Sequence, residues 1–193
     1  MMKKLTYRLS TALAIILVMV ACKKDEQIVA SAIPGNEFIT TVKIKFENTS
    51  NPADTVWAIW KDLTPEDANP PDTTLAIANL KKNSTYTSHV YFLDETKSPA
   101  VDITEEIKER ANYHRFFFFP SQSILPYVTI TATDYDSNNP PLVLGLENTF
   151  ITTDNLAEGR LEGVLKHQPN LKDGTFAPGS TDLDVFFRFN IIP

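Results

Sequence analysis

The strongest constraint on the fold of this chain is an alternation of apolar and polar residues that recurs along its length. In the segment TVKIKF, residues 41–46, Val42, Ile44 and Phe46 fall on one side of an extended backbone. Residues 85–92 alternate in the same way. Because successive side chains of a β-strand point to opposite faces, this period of two predicts strands with one buried face. Further strands are predicted at residues 55–61, 115–119, 127–133, 148–152 and 159–167, with weaker ones at 75–78 and 142–146.

Two predicted strands, at residues 182–191 and 115–119, limit how the sheets can be arranged. In DLDVFFRFNI, residues 182–191, the alternation places Leu183 and Val185 on the apolar face and Asp182 on the polar one. The run RFFFF at residues 115–119 has no polar face. We therefore predict that this run forms a central strand covered on both sides.

The segment TVWAIWK, residues 55–61, is apolar on both faces, because Trp57 and Ile59 oppose Val56 and Ala58. Large aromatic side chains are mostly buried, so we expect Trp57 to lie in the interior. The alternative is that Trp57 contributes to an exposed binding patch.

One segment, DITEEIKERANYH, predicts a helix instead of a strand. Its apolar residues fall along one helical stripe, and Asp102 with Glu105 fits a capping box. One short helix, over about residues 103–111, among many strands favours an all-β fold. We predict that residues 36–193 form a single antiparallel two-sheet β-sandwich of immunoglobulin-like type, with the helix as a crossover between the sheets.

The N-terminal segment has the order of a secretory signal peptide. Three basic residues precede an apolar run over residues 9–20, and the small Ala21 follows it. The run is shorter than the ~20 apolar residues that a membrane-spanning helix needs. We therefore predict a signal peptide over residues 1–21, the alternative being a retained signal anchor.

Cys22 is the single cysteine of the chain and follows Ala21 directly. Met19, Val20, Ala21 and Cys22 together resemble the lipobox of bacterial lipoproteins. The resemblance implies cleavage between Ala21 and Cys22 and attachment of diacylglycerol to the sulfur of Cys22. One acyl chain binds a bilayer only marginally, whereas two or three anchor a protein stably. A free thiol or an intermolecular disulfide is the alternative.

The residues after the cysteine predict where the domain is displayed. Lys24, Asp25 and Glu26 resemble the signal that exports lipoproteins of Bacteroidota to the cell surface. We expect residues 22–35 to be the lipidated cysteine and a tether on the outer membrane, with the domain facing the outside of the cell. The alternative is a periplasm-facing accessory lipoprotein of an outer-membrane complex.

The charge of the processed chain limits its partners. Removal of residues 1–21 takes away three of the 18 basic residues and none of the 24 acidic ones, which leaves a net charge of −9. A domain this acidic is repelled by nucleic acid, which is therefore excluded as a partner.

The three histidines differ in their predicted surroundings. His89 falls on the polar face of its strand and is expected to meet solvent. His114 ends the helical stripe, where a core or helix-capping role is expected. His167 ends an apolar row just before QPNLKDG, which makes it the best candidate for a pocket. No two histidines have the i, i+2 or i, i+4 spacing of a local metal site.

An acidic loop, TDYDSNNPP, is the candidate for cation binding. Asp134, Asp136 and Asn138 stand at alternate positions, like the first ligands of a calcium loop, although the later glycine and acidic ligand are missing. We interpret these residues as hairpin-turn formers. A weak Ca²⁺ site is the alternative.

The sequence contains no visible catalytic constellation. A nucleophile with an adjacent base and a glycine-rich phosphate loop are both missing from the pattern. We therefore expect a non-catalytic binding or structural module with no required cofactor, whose ligand is a glycan, a peptide or a protein. The less favoured hypothesis is a metal-dependent hydrolase that uses Asp134, Asp136 and His167.

Several segments together resemble one family of small Bacteroidota lipoproteins, often labelled "type 1 periplasmic binding fold superfamily protein". They are SPAVDITEEIKERANYHRFFFF (residues 98–119), VTITATDYDSNNPPLVLGL (residues 128–146), and GRLEGVLKHQP (residues 159–169) followed by KDG and STDLDV. The label implies an α/β substrate-binding fold, which one short helix cannot supply. The loops of the family usually read close to D-x-D-x-N-G, whereas DLTPED and DYDSNNP lack the glycines. The resemblance implies no catalytic residue.

Overall fold

The computed structural model describes residues 38–65 and 67–193, which form ten strands, one α-helix and two 3₁₀ turns. The predicted signal peptide, Ala21, Cys22, the Lys24–Asp25–Glu26 signal and the tether lie outside the described residues. The elements are β1 Thr41–Asn48, β2 Thr55–Lys61, β3 Ile77–Lys81, β4 Thr85–Asp94, β5 Val101–Asp102, α1 Thr104–Glu109, β6 His114–Pro120, β7 Val128–Ala132, β8 Glu147–Thr152, β9 Ala157–His167 and β10 Ser180–Ile192, with 3₁₀ turns at Ala111–Tyr113 and Leu125–Tyr127.

The strands form two sheets, and the prediction of an all-β sandwich is confirmed. The first sheet has the order β2-β1-β4-β8-β7, with β5 paired to β4, and its pairs are antiparallel. The second sheet has the order β3-β10-β9-β6. Its β3 and β10 run parallel, which differs from the predicted purely antiparallel arrangement. A parallel pair needs a long connection between its strands, and here most of the domain lies between them.

Aromatic rings join the inner faces of the two sheets. Phe150 of the first sheet contacts Phe118 of the second with ring centroids 5.3 Å apart, and Phe92 contacts Phe116 at 5.5 Å. Both pairs meet edge to face, the arrangement that aromatic quadrupoles favour. The alternation read from the sequence is realised here, since Val42, Ile44 and Phe46 in β1 are all fully buried.

Helix α1 connects β5 of the first sheet to β6 of the second, as predicted, but it is shorter than predicted. The N-cap is Ile103 and not Asp102, although the carboxylate of Asp102 accepts a hydrogen bond from the N–H of Thr104 at 2.9 Å. Glu105 does not complete a capping box, because its carboxylate pairs with Lys108 at 3.2 Å. Among the described residues, no helix is both long and apolar enough to cross a membrane.

The prediction that the RFFFF run forms a central strand is wrong. Within the described chain, β6 is an edge strand of the second sheet. Its outward rings, Phe117 and Phe119, are covered instead by Phe176, whose ring centroid lies 5.2 Å from each of them. The cover is incomplete, since 39% of Phe119 remains exposed. A loop therefore supplies the apolar partner that a flanking strand was expected to supply.

Two further predictions are corrected. Trp57 is not interior: β2 is an edge strand, and 44% of Trp57 is exposed beside Tyr91, with ring centroids 5.9 Å apart. Residues 142–146 form no strand, apart from one bridge at Val143. The backbone N–H groups of Gly145 and Leu146 donate instead to the carboxylate of Asp134, at 2.8 and 2.9 Å. The weak strand expected at 75–78 lies two residues later, as β3.

Candidate functional site

Strand pairing brings two histidines together that the sequence places far apart. His114 begins β6 and His167 ends β9, and because the two strands are antiparallel neighbours, these residues are paired in register. Their rings stack with centroids 4.8 Å apart. Both side chains are almost wholly excluded from solvent. His114 is thus the buried histidine that was expected, and His167 lies beside it.

A β-bulge adds a carboxylate to this pair. The register between β9 and β10 shifts between Thr181 and Leu183, so Asp182 is turned away from the polar face on which the alternation placed it. Its side chain is fully buried. One carboxylate oxygen, Oδ2, lies 3.9 Å from Nε2 of His114 and 3.9 Å from Nδ1 of His167. The sequence-based placement of Asp182 is therefore wrong.

The end of α1 orients the histidine rings. The backbone carbonyl of Arg110 lies 3.2 Å from Nδ1 of His114. A carbonyl oxygen can only accept, so this nitrogen donates and Nε2 is directed towards Asp182. The guanidinium of Arg110 approaches Nε2 of His167, with 3.5 Å between Nη2 and Nε2, and also pairs with Glu106 at 3.1 Å.

The chain after β9 is held against the site by backbone contacts. The N–H of Gln168 donates to the carbonyl of Tyr113 at 2.6 Å, and its side-chain Nε2 donates to the carbonyls of Thr175 and Pro178 at 3.0 Å each. Gly179 has a φ of +78°, and a Cβ atom there would overlap the carbonyl oxygen of His167. These contacts fix the positions from which His167 and Asp182 project.

The acidic loop has a different arrangement from a calcium site. Asp136 forms a salt bridge with Lys172 at 2.7 Å, and it accepts hydrogen bonds from the N–H groups of Asn138 at 3.0 Å and Leu142 at 2.8 Å. Burial raises the pKa of Asp136, but the Lys172 bond and the two N–H bonds together lower that pKa below its usual value. A Ca²⁺ ion would have to displace the ammonium group of Lys172. Calcium binding by Asp134, Asp136 and Asn138 stays the untested alternative to their role in the turn.

The ligand set of the hypothetical hydrolase is not assembled. Across residues 38–65 and 67–193, one group of three His, Asp or Glu side chains is close enough to hold a metal ion, namely His114, His167 and Asp182. Its candidate ligand atoms all lie within 4.8 Å of one another. Of the predicted trio, only His167 belongs to this group. Local sequence spacing missed the group because its members meet only through strand pairing.

A second feature is an open groove on the outer face of the second sheet, with a volume of about 910 Å³. Arg160 of β9 and Arg188 of β10 lie directly opposite each other there. The guanidinium carbon of Arg160 lies 4.1 Å from the ring centroid of Phe186. In the part of the chain that the structure describes, neither arginine pairs with a carboxylate. Two like charges opposite each other on adjacent strands are unfavourable without a counter-charge.

The comparisons with known proteins give no relative. No protein-family model, no curated protein and no solved structure matches this chain. The similarity to small Bacteroidota lipoproteins therefore stays a prediction from the sequence.

Proposed function

We propose that this protein is a lipoprotein of the outer membrane that displays a non-catalytic, ligand-binding β-sandwich on the cell surface. Acyl chains on Cys22 hold it in the bilayer, and residues 22–35 separate the domain from the membrane. The observation that carries the binding role is the groove in which Arg160 and Arg188 face each other.

The groove favours a ligand that carries carboxylate or sulfate groups. A guanidinium presents planar donors that match such anions, and two of them in register can hold one anion between them. Thr73 and Thr74 line the same groove and offer hydroxyl groups, while Phe186 offers an apolar surface. The guanidinium groups can bind the acidic groups of a polysaccharide, the threonines can hydrogen-bond to its hydroxyl groups, and the phenylalanine can pack against a sugar ring. This combination fits an acidic polysaccharide. The positive charge is local, since the processed chain carries −9.

Binding is tested with the processed lipoprotein extracted in detergent. We expect polygalacturonate to bind in a salt-dependent manner and neutral dextran not to bind. Arg160→Gln and Arg188→Gln should each weaken binding, whereas Lys97→Gln, which removes one charge from an exposed loop, should not. Equal binding of the acidic and neutral polymers would refute the proposal.

Anchoring and orientation are tested in whole cells. Mass spectrometry of the processed N-terminus should find acyl chains on Cys22, and Cys22→Ala should abolish them and release the protein from the membrane. External protease should remove the domain from intact cells. Full protection of the domain, with digestion only after the outer membrane is opened, would favour the periplasm-facing alternative.

A further inference from the structure

We propose that the groove prefers a polysaccharide whose anionic groups are isolated among neutral sugars, and that it disfavours polymers with an acidic group on every sugar. The residues that set this preference are Glu158 and Glu162, which stand on either side of Arg160 in β9. The preference rests on the proposed function, since it requires Arg160 and Arg188 to hold the anion.

The two guanidinium groups provide a single contact point for an anion. Arg160 and Arg188 are paired in register, and the N–H of Arg188 donates to the carbonyl of Ala76 at 2.8 Å, on the side away from β9. The two arginines are therefore a non-hydrogen-bonded pair, in which the Cβ atoms of opposite residues lie about 4.5–5.5 Å apart. This short separation allows both guanidinium groups to donate to the oxygens of one anionic group.

An aromatic ring orients one of these guanidinium groups in advance. The guanidinium carbon of Arg160 lies 4.1 Å from the ring centroid of Phe186. A guanidinium stacked on a ring keeps its N–H groups directed outward in its own plane, where they can donate to an anion. Arg160 therefore loses less side-chain freedom on binding than a fully mobile arginine would.

Carboxylates flank this contact point along β9. Glu158, Arg160 and Glu162 are alternate residues of one strand, so their side chains all leave the same outer face. Alternate residues of a strand lie about 6.6–6.8 Å apart. This spacing is shorter than the Debye length of about 8 Å at physiological ionic strength. Among the described residues, neither glutamate forms a salt bridge, so each is available to repel a further anionic group of a bound ligand.

The charges of this part of the sheet cancel at longer range. Arg160 and Arg188 contribute two positive charges, and Glu158 and Glu162 contribute two negative ones. The processed chain as a whole is acidic, with a net charge of −9. A dense polyanion therefore gains no long-range attraction from the groove and is repelled through each of its further charges. A ligand with one isolated anionic group makes the same two guanidinium contacts without that repulsion.

The rest of the groove suits neutral sugars. Thr73 and Thr74 line it, and their hydroxyl groups can both donate and accept hydrogen bonds. The carboxylate of the neighbouring Asp72 accepts a hydrogen bond from the N–H of Thr74 at 2.9 Å. A negative charge is therefore already present at the threonine end of the groove. Ile77 adds apolar surface there, against which a sugar ring can pack.

The test compares two polymers that share one backbone, using the processed lipoprotein in detergent at low ionic strength. Polygalacturonate carries a carboxylate on every sugar, whereas highly methyl-esterified polygalacturonate carries isolated carboxylates among neutral esters. We expect the esterified polymer to bind several-fold more tightly per free carboxylate. Replacement of both glutamates, Glu158→Gln with Glu162→Gln, should strengthen binding of polygalacturonate several-fold and leave binding of the esterified polymer nearly unchanged. Glu109→Gln is the matched control, since it removes a carboxylate at the end of α1.

Three results would overturn the preference for isolated anions. They are equal binding of the two polymers per free carboxylate, no effect of the double replacement on polygalacturonate, and an equal gain for both polymers. Each of these results leaves the proposed function standing, provided that both polymers bind and neutral dextran does not. Failure of both acidic polymers to bind the wild-type protein would overturn the proposed function, and the preference with it.

Discussion

The Nζ atom of Lys172 lies 2.7 Å from Oδ2 of Asp136, and both side chains are almost completely excluded from solvent. The same ammonium group donates to the carbonyl of Ala111 at 2.8 Å. This contact therefore joins three segments that are distant in sequence: the turn after α1, the loop after β7 and the loop after β9. A buried charge pair of this kind is strongly destabilised when one partner is removed.

Lys172→Met should lower the free energy of unfolding by about 3–5 kcal/mol, because the carboxylate of Asp136 is left buried and unpaired. Urea unfolding followed by circular dichroism measures the loss. Lys97→Met is the control at an exposed position, with an expected change within about 0.5 kcal/mol. Similar losses in the two variants would contradict the role assigned to this ion pair.

Stability should fall in acid partly through Asp136. Its folded-state pKa lies below its usual value, so its contribution is present above the pKa of the unfolded state and is lost as pH falls through the folded-state pKa. Urea unfolding at a series of pH values from neutral to about pH 3 should show this decline, since a free Asp titrates near pH 3.9. Asp136→Asn should start less stable and decline less steeply. Parallel curves for the two proteins would refute the assignment.

Calcium at about 10 mM, which saturates weak extracellular sites, should leave the melting temperature unchanged. The carboxylate of Asp136 already holds Lys172 and two backbone N–H groups, so the ion has no open oxygen there. Differential scanning calorimetry checks this. A rise in Tm that disappears in Asp136→Ala would establish the calcium site that the sequence pattern left open.

Gly145→Ala should destabilise the domain by about 2 kcal/mol or more. Gly145 has a φ of +88°, and a Cβ atom there would overlap the carbonyl oxygen of Phe116. Gly174→Ala is a matched control, because Gly174 has a similar φ of +84° but its nearest neighbour would be Cδ2 of Leu142, at 3.4 Å. Both variants carry the strain of a positive φ, but only Gly145→Ala adds the clash. The difference between their melting temperatures therefore measures the cost of the clash. Equal losses would show that the close approach to Phe116 costs nothing.

The alternation of apolar and polar residues predicts where most strands begin and end, because it records which side chains point to the same face. The strand at Thr55–Lys61 has the predicted bounds, and β1, β4 and β9 differ from theirs by a few residues at the ends. The edge position of β6 was not predictable, because the cover over Phe117 comes from Phe176, more than fifty residues away. The predicted direction of Asp182 was wrong because of the β-bulge between Thr181 and Leu183. A bulge adds one residue to a strand and changes the face to which a side chain points, and the sequence alternation does not show it.

The cluster of His114, His167 and Asp182 depends on strand pairing that no local sequence pattern contains. One signal was nevertheless present: His114 stands directly before the predicted strand at 115–119, and His167 stands at the end of the predicted strand at 159–167. In an antiparallel pair, the start of one strand meets the end of the other. A search of predicted strand ends for histidines and carboxylates would have found the pair, although not the bulge that adds Asp182.

The parallel pairing of β3 with β10 also constrains how the domain comes into being. Strand β10 occupies the middle of its sheet, between β3 and β9. This sheet therefore cannot be completed until β10 has emerged from the ribosome or from a translocation channel. Removal of β10 should leave β3 separated from β9 and β6, and should therefore disrupt the second sheet instead of producing a slightly smaller domain.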